Sequence, residues 1–213
     1  MTVFADMIDG YRRFRAGVWA EQRERWDELK DGQSPRVMVI ACSDSRVDPT
    51  QIFDTNPGEI FVVRNVAALV PPFETTPGRH GVSAALEFAV QVLKVEEIVV
   101  MGHGLCGGCK AALTQELKDA PPGEGGFIAH WIELLDDARD KVAAVHGEDR
   151  GSREALRMME REGVKVSLEN LRTFPCIQQK EGKGKLRLIG AYFAIADGVL
   201  HVLDEASGEF SPA

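Results

Sequence analysis

Cys42, Asp44, Arg46, His103 and Cys106 are the residues whose types and spacing suggest chemistry. Cys42 closes the apolar run RVMVIAC (36–42), His103 closes EEIVVMGH (96–103), and Cys106 follows three residues later where a helix begins. If the two runs are neighbouring strands, two thiolates and an imidazole meet at one sheet edge. That donor set suits tetrahedral zinc and leaves a fourth position for water or another ligand. A lone strand-end cysteine is ordinarily a small buried hydrophobe, so the signal lies in the coincidence of all three. Asp44 and Arg46 follow at once in ACSDSRVDP. Asp44 is placed to accept a proton from metal-activated water or to bind zinc itself, and Arg46 to hold its carboxylate. Elsewhere such a pair would be a surface salt bridge worth about 0–1 kcal/mol.

Two other motifs overlap this segment. Gly102, Gly104 and Gly107 match G-x-G-x-x-G after a strand, as in a dinucleotide-binding loop. That reading needs a further strand soon after the helix, whereas 118–126 (KDAPPGEGG) reads as a Pro/Gly loop followed by another helix. The glycines then serve to give backbone room beside a metal. Cys106 and Cys109 form C-x-x-C at a strand-to-helix turn, the pattern of a thiol–disulfide oxidoreductase. That alternative leaves Cys42, Asp44, Arg46 and His103 without a role. Cys109 and Cys176 read as helix-face core residues.

The elements that must position these groups alternate in type. Near-continuous apolar runs at 36–42, 59–65, 96–103 and 186–195 predict four parallel strands buried on both faces. A crossover helix is expected over 80–95, and further helices over 110–117, over 127–145 and within 152–174. The run 199–205 pairs as a last, edge strand after a turn at Asp197 and Gly198. The fold class is therefore α/β, a mostly parallel open sheet flanked by helices, read as one domain over 1–213. The first thirty residues form a helical arm, with Phe4, Met7, Ile8, Tyr11, Phe14, Val18 and Trp19 at three- and four-residue steps. Ligands of such sheets bind beyond the carboxyl ends of the strands, where Cys42 and His103 stand.

Composition sets the outer bounds. The 213 residues are 44% hydrophobic and 27% charged, which predicts a folded chain with a sizeable core. A formal net charge of -8 argues against nucleic acid or anionic membranes as partners. No apolar stretch approaches the roughly 20 residues that a bilayer span requires. The N-terminal segment lacks the apolar core of a secretory signal, so a cytoplasmic location is expected, where four cysteines serve as thiols and not as a disulfide framework.

The pairing of CxDSR (42–46) with HxxCGG (103–108) resembles the β-class carbonic anhydrases, zinc enzymes that interconvert carbon dioxide and bicarbonate. The likeness extends through PGEIFVVRNVAALVPP (57–72) and HGVSAALEFAV (80–90) and covers most of 33–113. It implies Zn2+ on Cys42, His103 and Cys106, a catalytic dyad of Asp44 and Arg46, and a substrate pocket at Gln33, Phe61, Val66 and Phe88. The last position is often Tyr in relatives. One subgroup shuts its site by binding bicarbonate beside a tryptophan three residues before the first cysteine. Val39 stands there, so the resemblance implies the open form even though Arg64 is present. Small-molecule partners (carbon dioxide, bicarbonate and water) and a homodimer or homotetramer, with the arm on a partner subunit, are also implied. Some relatives act on carbon disulfide or carbonyl sulfide instead.

Overall fold

The computed structural model describes residues 2–147 and 149–213, which fall into two compact units, Met1–Ser34 and Pro35–Ala213. The first is helical, as its three- and four-residue apolar spacing predicts: α1 (Phe4–Ala16), α2 (Val18–Glu21) and α3 (Arg23–Leu29). The Val3 amide donates to Asp6 Oδ2 at 2.9 Å to start α1. Phe14 packs edge-on against Trp26 at 5.9 Å. None of α1 is buried, and Phe4, Met7 and Tyr11 stay exposed.

The second unit is built on six strands in the order β2-β1-β3-β4-β5-β6: β1 (Val37–Cys42), β2 (Ile60–Asn65), β3 (Glu97–His103), β4 (Arg187–Ala194), β5 (Val199–Asp204) and β6 (Glu209–Pro212). The first four are mutually parallel, as their apolar runs predict. After Gly198, at φ 67°, β5 returns antiparallel. The sequence reading makes β5 the edge; instead β6 pairs beyond it, also antiparallel. β6 is only four residues long and has no β-branched side chain, so its pairing comes from the turn at Gly208 (φ 75°) and carries no pattern of its own.

Alternate residues of β1 serve opposite faces. Met38 and Ile40 join a core with Leu86, Val90, Val164, Leu168 and Ile177, contributed by α5 (Gly81–Glu87), its continuation, α9 (Arg153–Leu171) and α10 (Pro175–Glu181). Val39 and Ala41 meet Met101 and Ala191 on the other face, together with Ile52 of α4 (Pro49–Ile52). A further cluster lies under α6 (Gly107–Thr114), α7 (Gly126–Ile132) and α8 (Asp136–His146). The helix expected over 80–95 changes at Phe88 into a π-helical turn, Phe88–Leu93, that ends on left-handed Lys94 (φ 59°). The helix expected from 110 begins at Gly107, because Cys106 already serves as its N-terminal flank, and ends at Thr114 before left-handed Gln115.

Gly102 lets α9 approach the sheet. A Cβ there would lie 2.7 Å from Val164 Cγ2 and 3.3 Å from the Glu160 carbonyl oxygen. Gly102→Ala is expected to destabilise the fold by about 1–3 kcal/mol through this overlap. Urea denaturation checks it, and an unchanged midpoint would contradict the contact.

Candidate metal centre

The expected neighbours are neighbours. β1 and β3 pair in parallel with Ala41 opposite Met101, so Cys42 and His103 project from the same end of the sheet. Cys42 Sγ, a ring nitrogen of His103 and Cys106 Sγ all lie within 4.8 Å of one another, and the two sulfurs are 4.0 Å apart. Two Zn–S bonds of about 2.3 Å at a tetrahedral angle span roughly 3.8 Å, close to that separation. All three side chains are buried.

The imidazole is oriented for ligation. His103 Nδ1 lies 3.0 Å from the Gly104 carbonyl oxygen, which can only accept, so this nitrogen carries the proton. Nε2 then presents a lone pair, and it is a buried atom with no hydrogen-bond partner. An orphaned buried acceptor beside two thiols is costly unless something ligates it. With no cation between them, the thiols resist ionisation. Cys42 is pushed up to about 12 by its hydrogen bond with Cys106 and then by burial. Cys106 also rises to about 12, chiefly through Cys109. A divalent cation reverses that preference, since coordination deprotonates a thiol outright.

Asp44 and Arg46 form the forked pair that their spacing suggests. Arg46 Nε donates to Asp44 Oδ1 at 2.9 Å and Nη2 to Oδ2 at 2.7 Å, while the Arg46 amide adds a third bond to Oδ1 at 3.0 Å. These bonds hold the carboxyl well below the usual carboxylate range. Arg46 Nη2 also reaches the Leu105 carbonyl oxygen at 3.1 Å, tying the dyad to the segment between His103 and Cys106.

Of the residues expected in the pocket, Phe61 on β2 and Phe88 at the π turn meet with ring centroids 5.9 Å apart. Val66 begins the tight turn Val66–Ala68, whose Ala67 and Ala68 have φ of 64° and 56°. Asn65 closes that turn, accepting from the Leu69 amide and donating to its carbonyl oxygen, both at 2.8 Å. Trp131 Nε1 donates to the Val66 carbonyl at 2.9 Å. Gly108 is required beneath it, because a Cβ there would come within 2.7 Å of Val66 Cγ1. Gln33 belongs to the N-terminal unit and is exposed. Cys109 is buried on α6, as read from sequence, and Cys176 is half-buried on α10. With Cys106 and Cys109 both buried, the C-x-x-C offers no exposed thiol to a disulfide substrate.

Two supporting roles, those of Arg64 and Glu160, escape the sequence reading. Arg64 on β2 clamps the loop after Cys42, with Nε on the Cys42 carbonyl (2.9 Å), Nη2 on the Asp44 carbonyl (2.6 Å) and Nη1 on Asp48 Oδ2 (3.1 Å). Glu160 on α9 is 3% exposed and accepts from the Cys106 amide through Oε1 at 2.9 Å. A signal for Glu160 existed: with Val164 and Leu168 it continues one apolar stripe at four-residue steps, where a carboxylate needs a buried partner.

The architecture is thus an open α/β sheet whose carboxyl edge buries three donors able to hold one metal ion. Residues 37–200 match the carbonic anhydrase family. The chain is 37% identical over 207 residues to a carbonic anhydrase of Pseudomonas aeruginosa, covering 96% of this chain and 90% of that protein. It superposes on the β-carbonic anhydrase CcaA with a TM-score of 0.90 at 29% identity, covering 99% of each chain. A tetrameric β-carbonic anhydrase of Sordaria macrospora gives 0.78 at 27% identity, covering 98% of each. The chain belongs to the carbonic anhydrase family, in its β class.

With both thiols pushed up to about 12, holding a divalent cation on them would expel their protons. Titration of metal-free protein in dilute buffer at pH 7 is expected to saturate near one zinc per chain with release of about two protons. Uptake with no proton release would contradict the pairing of the two thiols on one ion.

Proposed function

We propose that this chain is a zinc-dependent enzyme that hydrates carbon dioxide reversibly to bicarbonate and a proton. In this reading Cys42, His103 and Cys106 hold the metal, Asp44 and Arg46 form the catalytic dyad, and Phe61, Val66 and Phe88 supply an apolar wall. The observation that carries it is the unpartnered, buried Nε2 of His103 beside two thiols 4.0 Å apart. Bound there, zinc supplies the Lewis acidity that makes water a competent nucleophile near neutral pH.

The chain's own groups do the remaining work. Asp44, kept ionised by Arg46, can only accept a hydrogen bond. It would therefore accept a hydrogen bond from the attacking oxygen, which turns a lone pair of that oxygen toward the carbon. Arg46 fixes the carboxylate in that orientation by its fork and its anchor on Leu105. Carbon dioxide has no net dipole and offers little to hydrogen-bond, so a wall such as the Phe61–Phe88 pair favours it over water. Cys109 takes no part.

We also place the chain in a homodimer or homotetramer in the cytoplasm. Exposed Phe4, Met7 and Tyr11 of α1 give a second copy an apolar surface to cover, and the Sordaria relatives are tetrameric. The four free cysteines suit a reducing compartment.

Cys42→Ser, His103→Ala and Cys106→Ser are expected to lose zinc and hydration activity together. Asp44→Asn should retain zinc yet slow hydration by about 10²-fold or more. Cys109→Ser should keep both. Metal analysis with stopped-flow hydration checks all five variants, and full activity in a zinc-free variant would overturn the reading.

A further inference from the structure

Behind the segment that carries Cys106, between α9 and the turn joining β4 to β5, lies a cavity of about 170 Å³ to which the proposed reaction gives no role. Its wall includes Arg153, Arg157 and Arg161, spaced at four-residue steps along one face of α9. Like charges at that spacing repel and destabilise a helix. Among the described residues, no carboxylate lies within ion-pair distance of any of the three. That is unexpected in a chain of net charge -8. Opposing charge in the wall is limited to Glu160, whose two oxygens are taken by the Cys106 amide and the Tyr192 hydroxyl, and to exposed Asp197.

Two further observations point to a missing partner. The Arg161 guanidinium lies over two aromatic rings, 5.2 Å from the Tyr192 centroid and 5.4 Å from that of Phe210, yet its Nε is buried with no protein acceptor. His201 lines the same cavity, and its Nδ1 is likewise buried and unpartnered. A guanidinium set against two rings, with a polar edge unmet by the protein, is placed for a ligand that accepts hydrogen bonds. At about 30 Å³ per water, the cavity has room for an ion the size of phosphate with a few waters.

We propose that this cavity binds a small oxyanion, held by Arg157 and Arg161 with Arg153 at its mouth, at a site separate from the metal centre. The shared chemistry is a compact anionic group with several acceptor oxygens, whether inorganic or the carboxylate of a small metabolite. The proposal stands independently of the reaction assigned above. Because Gly104 and Leu105 form part of the wall, an occupant would sit behind the residues that join His103 to Cys106.

Isothermal titration of zinc-loaded protein tests this, using phosphate, sulfate, acetate and succinate in turn, with ionic strength held constant by chloride. Saturable binding is expected for at least one of them. Preference for phosphate and sulfate would mark an inorganic ligand, and preference for acetate or succinate a carboxylate. Arg157→Gln, at an exposed position, should weaken binding by about tenfold or more, with a larger loss in Arg153→Gln/Arg157→Gln, while Arg157→Lys retains most of it. No saturable binding by any of the four, or equal affinity in wild type and Arg157→Gln, would overturn the proposal.

Discussion

The structure depends on the parallel pairing of β1 with β3. That register brings a thiol and an imidazole to one end of the sheet, and the turn after His103 adds the second thiol. Two buried sulfurs and an unsatisfied ring nitrogen are a poor arrangement in a dry interior by themselves. Their grouping becomes favourable when a cation neutralises two thiolates and accepts the imidazole lone pair. The carboxyl edge of the sheet thus holds unmet donors that a bound cation would satisfy, and the surrounding residues are arranged to keep them in place.

Those surroundings act through the backbone more than through the ligands themselves. Arg64 reaches from β2 to the carbonyls of Cys42 and Asp44, so the first cysteine and the carboxylate dyad are positioned as one piece. Glu160 reaches from α9 to the Cys106 amide, and α9 comes near enough only because position 102 has no side chain. Asn65, Trp131 and Gly108 hold the strained turn that presents Val66. Long-range hydrogen bonds of this kind limit how far a donor can drift, which matters where sub-ångström geometry sets chemistry.

Much of this was legible in the sequence. Apolar runs of strand length reveal the four parallel strands, and residues at their ends reveal Cys42 and His103, because both patterns are local. Asp44 and Arg46 were readable as a pair since only two residues separate them. What stayed hidden depends on distant partners or on backbone geometry. β6 forms without a β-rich pattern, the Phe88 turn adopts π geometry inside an ordinary amphipathic stretch, and the Arg64 clamp acts on carbonyls that no motif marks. The arginines of α9 look like any solvated helix face until Tyr192, Phe210 and His201 arrive from β4, β6 and β5.

X-ray absorption at the zinc edge of the metal-loaded protein tests the central claim most directly. Two sulfur neighbours at about 2.3 Å and two lighter ones near 2.0–2.1 Å, one with the scattering of imidazole, are predicted. A shell with one sulfur, or with three that would draw in Cys109, would contradict it.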